Sequence, residues 1–297
     1  MRLEGVIPPV LTPLLDDQTL DEAAFRMLLK RCMDGGVGAL FVGGTAGLGP
    51  LLPDRVWART MEVAREEVGE RVPLLAGVME TSTPRARERI RILDGLGYRA
   101  FVLTPTFYLT PRTEAEFLAH FGACREAAGM EMIAYNIPPC TGSSLPVNTI
   151  LDMARRSWIS ACKESSGDRQ FFADLCRRGR EVGLAVFQGN RPDLRWLAEL
   201  GAVGIVPVPG NVAPITVVRA WAARNSPDAA ALQQAQTRLD ALWGGLVHGF
   251  DFLSGSVYAL AQLGLGTGHL LTPLPALSRE RQLEIKALLK ELSEDRR

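Results

Sequence analysis

The stretch Ile159-Ser160-Ala161-Cys162-Lys163-Glu164-Ser165-Ser166-Gly167-Asp168 contains an apolar run, a lysine and a turn of small residues. The run belongs to Trp158–Cys162, whose apolar residues predict a buried strand. The segment after the turn, Arg169–Arg177, has the apolar spacing of an amphipathic helix. The stretch is therefore the centre of one strand-turn-helix unit, and Lys163 lies at the end of the strand.

The same unit recurs along the chain. Seven further apolar runs predict strands, at Val6–Val10, Ala39–Val42, Leu74–Gly77, Ala100–Leu103, Met132–Tyr135, Ala185–Gln188 and Val203–Val206. Seven further amphipathic segments predict helices, at Asp21–Met33, Asp54–Val68, Pro84–Leu96, Thr113–Ala127, Val147–Arg155, Pro192–Leu200 and Ala213–Ala223. Eight alternating units predict an α/β fold, a (β/α)8 TIM barrel. An open, doubly wound sheet would be expected to carry a glycine-rich dinucleotide-binding motif, and the sequence has none in the right place.

The pattern changes after the eighth unit. We expect residues 1–224 to form the barrel that carries the active site, and residues 225–297 to form a C-terminal helical appendage. Helical patterns in the appendage cover Ala229–Leu246, Gly249–Leu263 and Ser278–Leu292.

Composition argues against several classes of protein. The formal net charge is zero and the chain has no basic block, which argues against nucleic-acid binding. The N-terminal residues lack an apolar signal core and no apolar stretch reaches about 20 residues, so we expect a cytoplasmic protein with no membrane partner. The five cysteines form no Cys-x-x-Cys pair and the three histidines are widely separated, so neither a disulfide framework nor a metal site is expected.

Lys163 stands out because the chain uses arginine almost everywhere else. Of 33 basic residues only four are lysines, and Lys30, Lys286 and Lys290 lie in segments with a helical pattern. A lysine at the end of a buried strand can lose its proton and become a nucleophile, which an arginine cannot. The alternative is a lysine that pairs with Glu164 or Asp168 and has no chemical role.

In a barrel of this type the residues that follow the strands form the active site. Tyr135 ends the strand that precedes the lysine strand, and the turn Gly43–Gly47 follows the second strand. A neutral lysine beside a phenol suits imine chemistry, in which the amine attacks a ketone and the iminium withdraws electrons from a neighbouring C–C bond. Tyr135 would then carry protons, or would only pack the mouth of the barrel. The glycine-rich turn offers main-chain amides to an anion, either a carboxylate or a phosphate.

Four motifs give the chain a resemblance to the dihydrodipicolinate synthase / N-acetylneuraminate lyase superfamily, the pyruvate-dependent class I aldolases. The resemblance runs from Gly5 to about Pro214. The motifs are Gly5-Val6-Ile7-Pro8-Pro9-Val10-Leu11-Thr12-Pro13, Gly44-Thr45-Ala46-Gly47, Tyr135-Asn136-Ile137-Pro138 and Lys163-Glu164-Ser165-Ser166-Gly167-Asp168. The last two, in this order and 28 residues apart, are the most specific.

The resemblance implies a catalytic role for four residues. Lys163 would form an imine with a 2-oxo acid such as pyruvate, and Tyr135 would be the general acid and base. The Thr45 hydroxyl would join Tyr135 in a proton relay, which Tyr108 of a second copy would complete across a dimer interface. The resemblance therefore also implies a homo-oligomer, a dimer or a tetramer, with a 2-oxo acid and an aldehyde as small-molecule partners and no cofactor.

The resemblance also implies how substrate is held. Main-chain groups around Gly44, Thr45 and Ala46 would bind the carboxylate, and the main-chain carbonyl of Ile205 would lie near the imine. The Ile205 side chain is expected to be a core strand residue as well.

Three departures from the motifs bear on the substrate. Ala46 replaces a threonine, Leu48 replaces a glutamate, and Cys140 stands where dihydrodipicolinate synthases have an arginine that binds the carboxylate of the second substrate. A cysteine cannot make that bidentate contact. We therefore expect cleavage or formation of a C–C bond in a 2-oxo-3-deoxy acid, with Cys140 in the binding site, rather than dihydrodipicolinate synthesis.

Polar loop residues would hold the substrate hydroxyls. Ser165, Gly189 and Asn190 are the candidates. Three alternatives stay open: a dihydrodipicolinate synthase with a relocated arginine, Arg112 or Arg191; a catalytically silent barrel that binds 2-oxo acids; and an isomerase that binds phosphate at the loop of Gly189 and Asn190.

Overall fold

A computed structural model of the chain describes residues 3–247 and 252–294. Within these residues, eight parallel strands alternate with helices and curl into a (β/α)8 barrel followed by C-terminal helices. The strands are β1 (Gly5–Val6), β2 (Leu40–Val42), β3 (Leu74–Val78), β4 (Ala100–Leu103), β5 (Glu131–Asn136), β6 (Ile159–Glu164), β7 (Ala185–Gln188) and β8 (Gly204–Ile205). The fold class predicted from the sequence is confirmed.

The barrel closes between its first two strands through a short main-chain contact. The sheet order runs from β1 through β8 to β2, and the Phe41 amide donates to the Pro8 carbonyl at 3.1 Å while Val10 donates to Phe41 at 2.7 Å. β1 is shorter than the predicted Val6–Val10 because Pro8 and Pro9 have no N–H for the ladder. β8 is short in the same way, before Pro207.

Helices cover the outside of the barrel. They are α1 (Glu22–Asp34), α2 (Asp54–Val68), α3 (Thr83–Gly95), α4 (Glu114–Arg125), α5 (Pro138–Thr141), α6 (Val147–Arg155), α7 (Arg169–Glu181), α8 (Leu194–Leu200), α9 (Pro214–Ala222), α10 (Ala229–Leu246), α11 (Phe252–Gln262) and α12 (Arg279–Glu294). The single-turn helix α5 is not among the predictions. The first residues of the predicted helix Gly249–Leu263 lie outside the described residues.

Side chains cap the N-termini of several helices. Asp21 accepts a hydrogen bond from the Ala24 amide, and Thr113 forms a capping box with Glu116 at the start of α4. Asp168 accepts from the amides of Gln170 and Phe171. This last cap occupies the Oδ1 atom of Asp168.

Two apolar layers lie on either side of the strands. The barrel interior contains Ile7, Phe41, Ile133 and Phe187, and the second layer lies between strands and helices. The C-terminal helices join this outer layer through residues such as Ile285. The predicted boundary at 224 and 225 falls in the 3-10 turn before α10.

Across residues 3–247 and 252–294, none of the helices has the length and the apolar character that a membrane crossing requires.

Candidate active site

Lys163 lies inside the barrel, near the carboxyl end of β6. The residue is 6% exposed, and it is aligned with Tyr135 on β5 and with Phe187 on β7. Because parallel strands alternate their side chains between two faces, Lys163 and Tyr135 both face the interior while Glu164 faces the helices. The sequence prediction that the lysine is a buried strand-end residue agrees with this placement.

The surroundings of Lys163 favour its neutral form. Burial lowers the pKa of the amine from its ordinary 10.5 to about 7, and a weaker interaction with Cys140 acts in the opposite direction. Among the described residues, no carboxylate lies within ion-pair distance of Lys163. Glu164 instead accepts from the Ser166 amide at 2.6 Å and from the Asn136 side-chain amide at 3.2 Å. The alternative of a simple lysine–carboxylate pair is therefore wrong.

Aromatic rings surround the end of the lysine. Its Nζ atom lies 3.9 Å from the ring centroid of Tyr135 and 5.1 Å from that of Phe41. The two rings meet edge to face, with centroids 6.3 Å apart. Rings attract the ammonium form, but burial has the larger effect on the pKa. The amine therefore lies in an apolar, preorganised enclosure where both protonation states are accessible near neutral pH.

Tyr135 is the group best placed to move a proton beside the lysine. It is 2% exposed, and burial raises its pKa, while the nearby hydroxyls of Ser165 and Thr45 act in the opposite direction. The Thr45 hydroxyl also lies 3.9 Å from Met79 Sδ. The phenol is therefore protonated at neutral pH and is a proton donor with two hydroxyls next to it.

The turn after β2 is folded tightly against the barrel. The Leu48 amide donates to the Thr45 carbonyl at 3.1 Å, and the Gly49 amide donates to the Gly44 carbonyl at 3.0 Å. In residues 3–247 and 252–294, the main-chain amides of Thr45 and Ala46 donate no hydrogen bond. Two adjacent unengaged amides can bind an anion, so anion binding at this turn stays a prediction.

Gly189, at the end of β7, leaves space beside the lysine. A methyl group at this position would lie 2.0 Å from Ser165 Oγ and 3.0 Å from Lys163 Cε. Ser165 is 8% exposed, and its hydroxyl has no aligned hydrogen-bond partner among the described residues. The glycine thus lets the Ser165 hydroxyl lie close to the lysine. Asn190, next along the chain, is partly buried, and its main-chain amide donates to the side-chain oxygen of Gln188 at 3.0 Å.

Ile205 lies on β8, which is separated from the lysine strand β6 by β7 alone. Its side chain is fully buried, as expected for a core strand residue. Its carbonyl accepts the Ile7 amide at 2.9 Å, so one of its lone pairs belongs to the barrel ladder.

Cys140 lies at the rim, on the short helix α5. The residue is exposed and is close enough to Lys163 for their charges to interact. Partial burial of the thiol raises its pKa, so the thiol is neutral at neutral pH. The other four cysteines are free and buried. The position that would hold an arginine in the resembled synthases therefore presents a neutral thiol.

The two arginines weighed as replacements have positions of their own in the structure. Arg191 pairs with Asp240 of α10 at 2.9 Å, and Arg112 precedes α4 in an exposed position. Neither is brought next to Cys140 by a described contact.

Tyr108 lies on the surface of the part of the chain that the structure describes. It is 90% exposed, and its neighbour Leu109 is 80% exposed. The Tyr108 backbone has a φ of 75°, which is uncommon for a bulky residue. The structure thus leaves this tyrosine on the surface.

Asn136 is a site residue that the sequence reasoning did not single out. It is fully buried. Its side chain accepts from the Leu145 amide at 3.0 Å and donates to Glu164, and its carbonyl accepts from Ser165. The asparagine ties the loop after β5 to the end of β6. Its place directly after Tyr135 in the Tyr-Asn-Ile-Pro motif was the available signal.

No group of three or more His, Cys, Asp or Glu side chains within the described part of the chain could hold a metal ion.

Comparison with known proteins places this geometry in a family. The model of the dihydrodipicolinate synthetase family matches residues 2–292. A 4-hydroxy-tetrahydrodipicolinate synthase of Moorella thermoacetica is 30% identical over 298 residues, which cover 98% of this chain and 99% of the relative. The same enzyme of Exiguobacterium sibiricum is 29% identical over 271 residues, covering 91% and 92%. The structure of YagE, a prophage protein of E. coli K12, shares the fold with a TM-score of 0.91 at 24% identity, over 99% of both chains.

Proposed function

The chain belongs to the dihydrodipicolinate synthetase family and is a lyase of the class I aldolase type, and we propose that it acts on a 2-oxo acid through an imine of Lys163. The 2-oxo acid is pyruvate, or a 2-oxo-3-deoxy acid that contains pyruvate joined to an aldehyde through a C–C bond. The observation that carries the proposal is the buried Lys163 amine, whose pKa is lowered to about 7 and whose Nζ lies 3.9 Å from the Tyr135 ring centroid.

In the proposed reaction, the neutral amine of Lys163 adds to the ketone carbon, Tyr135 donates a proton to the ketone oxygen, and the nitrogen of the adduct then returns a proton to Tyr135. The carbinolamine then takes up a second proton, loses water and becomes an iminium. As the deprotonated Tyr135 takes the proton of the hydroxyl on the departing carbon, the iminium accepts the electron pair of the neighbouring C–C bond, which releases an aldehyde and leaves an enamine. Protonation of the enamine and hydrolysis then free pyruvate and the lysine. Tyr135, held protonated by burial, is suited to the proton steps.

The carboxylate of the 2-oxo acid is proposed to bind the turn after β2. The unengaged amides of Thr45 and Ala46 support this proposal. Gly44, which precedes them, is proposed to leave room for the carboxylate because it has no side chain. The Thr45 hydroxyl, next to Tyr135, is proposed to relay protons. In this proposal, the second lone pair of the Ile205 carbonyl points towards the imine.

A second copy of the chain is proposed to complete the relay. Tyr108 is 90% exposed, which supports a contact outside its own chain rather than within it. The proposed assembly is a cytoplasmic homodimer or homotetramer. Full activity of a monomer would overturn the shared site.

The second substrate is proposed to be a hydroxylated aldehyde. Cys140 offers no positive charge to a second carboxylate. Ser165 and Asn190 are proposed to hold hydroxyl groups, because both lie beside the lysine end of the barrel near Gly189. The names of the curated relatives favour a second candidate, 4-hydroxy-tetrahydrodipicolinate synthesis from pyruvate and aspartate semialdehyde.

One panel of assays separates the candidates. The purified chain is incubated with 2-oxo-3-deoxy sugar acids, and separately with pyruvate and aspartate semialdehyde. Pyruvate release from the sugar acids is the expected result, and condensation at a higher kcat/KM than that cleavage would establish the second candidate. A Cys140→Arg variant should gain condensation activity if the missing charge sets the preference. A chain that binds pyruvate but catalyses neither reaction would be a silent barrel.

A further inference from the structure

One buried charged cluster lies outside the site described above. Glu80, directly after Met79 at the end of β3, is 5% exposed. It forms ion pairs with Arg89 and Arg85 of α3. The Arg89 side chain is 7% exposed, and it also binds Asp54 at the start of α2 at 3.1 Å. Charged groups are rarely buried to this extent unless they are paired, because an unpaired buried charge is strongly destabilising.

Arg89 extends from this cluster to the turn after β2. Its Nη1 atom donates to the Gly49 carbonyl at 3.3 Å, and its guanidinium lies 4.3 Å from the ring centroid of Trp57. Trp57 in turn packs under the turn, since a methyl group on Gly43 would lie 3.4 Å from its Nε1 atom. Arg89 therefore contacts the turn directly and supports the ring beneath it.

Gly49 is linked by a hydrogen bond to the proposed carboxylate site. The Gly49 amide donates to the Gly44 carbonyl, so fixing Gly49 fixes the residue that precedes Thr45. Leu48, between them, has a φ of 60°, a conformation that costs about 1–3 kcal/mol and persists only where the surroundings hold it. Contacts from outside the turn are therefore needed to keep it in this conformation.

We propose that Arg89 is a positioning residue: its buried pair with Glu80 holds the Gly49 carbonyl and so keeps the amides of Thr45 and Ala46 aimed at the carboxylate of the 2-oxo acid. The inference rests on the proposed function. It attributes part of the affinity for the substrate to the Glu80–Arg89 ion pair, which does not contact the substrate.

The test uses a double variant, Glu80→Leu with Arg89→Leu, so that no buried charge is left without its partner. Arg85→Leu is the matched control, because Arg85 contacts the same Glu80 and Asp54 from a half-exposed position and does not contact Gly49. Borohydride trapping with pyruvate gives two readouts, the half-saturating pyruvate concentration and the maximal fraction of chain modified. Thermal unfolding is measured alongside.

The double variant should raise the half-saturating concentration about five- to tenfold, the size of one lost hydrogen bond, and keep the maximal fraction modified. Arg85→Leu should stay within about twofold, as for an exposed ion pair. Arg89→Lys keeps a positive charge facing Glu80 but loses the branched guanidinium group, so its half-saturating pyruvate concentration should also rise. A lower melting temperature with unchanged half-saturation in all variants would overturn the role of Arg89 while the proposed function stands. Absence of any adduct in the unmodified protein would overturn both.

Discussion

Tyr135 and Lys163 occupy paired positions on β5 and β6, and the lysine Nζ lies 3.9 Å from the centroid of the phenol ring. The register of two parallel strands therefore brings an amine with a lowered pKa and a proton donor together without any loop. Sites built on strands hold their geometry better than sites built on loops.

Reactivity of Lys163 should follow its lowered pKa. Below pH 7 the amine is mostly protonated and cannot attack a ketone, so the initial rate of adduct formation should fall about tenfold per pH unit. Above about pH 7 the rate should level off, because the amine is already neutral. Initial rates of borohydride trapping across a pH series measure this directly. A rate that still climbs from pH 8 to pH 10 would mean that the lysine titrates near its ordinary 10.5.

Removing the Tyr135 hydroxyl should slow the chemistry and spare the lysine enclosure. In Tyr135→Phe the ring stays beside Lys163, so kcat for the cleavage reaction should fall about 10²- to 10⁴-fold, the usual contribution of a general acid or base. Tyr98→Phe is the control, because the buried Tyr98 hydroxyl donates to the Met61 carbonyl outside the site. Steady-state kinetics of both variants compare the two hydroxyls. An equal loss of kcat in both variants would assign the effect to folding.

A methyl group at Gly189 should block the site. Gly189→Ala would place carbon 2.0 Å from Ser165 Oγ and 3.0 Å from Lys163 Cε, so the serine and the lysine would have to move. We expect the rate of adduct formation to fall at least about tenfold, as for small misplacements of reacting groups. Gly129→Ala is the control, because nothing lies within 4 Å of its added methyl group. Adduct formation at the normal rate in Gly189→Ala would show that Ser165 and this space are not used.

Asn136 should contribute to stability. Asn136→Ala leaves the buried Leu145 amide without its acceptor and removes one donor from buried Glu164. Each unsatisfied buried group costs about 1–3 kcal/mol, so the free energy of unfolding should drop by at least about that much. Denaturant unfolding measures it, with the more exposed Asn148→Ala as comparison. A midpoint equal to that of the unaltered chain would remove Asn136 as the link between β5 and β6.

The sequence was sufficient for features that repeat or that follow from local chemistry. Eight strands and the position of Lys163 could be predicted because buried strand runs and helical spacing are local patterns. The ends of β1 and β8 could have been placed better, since prolines after them interrupt the ladder. Helix α5 was missed because four residues give no period to detect.

Features that depend on distant contacts could not be predicted. The Glu80–Arg89 pair joins residues whose charges look like ordinary helix-surface charges in sequence, and only the packing of α3 against the turn after β2 buries them. The same holds for Gly189, whose role depends on Ser165 and Lys163 of the neighbouring strand. The function of Tyr108 depends on a second copy, so it remains a prediction.

The most direct test of the central claim is borohydride reduction in the presence of pyruvate, followed by intact-protein and peptide mass measurement. The chain has only four lysines, Lys30, Lys163, Lys286 and Lys290, so the modified position is readily assigned. We predict a reduced pyruvyl adduct on Lys163 and none in Lys163→Arg. An adduct that persists in Lys163→Arg, or no adduct with any 2-oxo acid tested, would contradict the account.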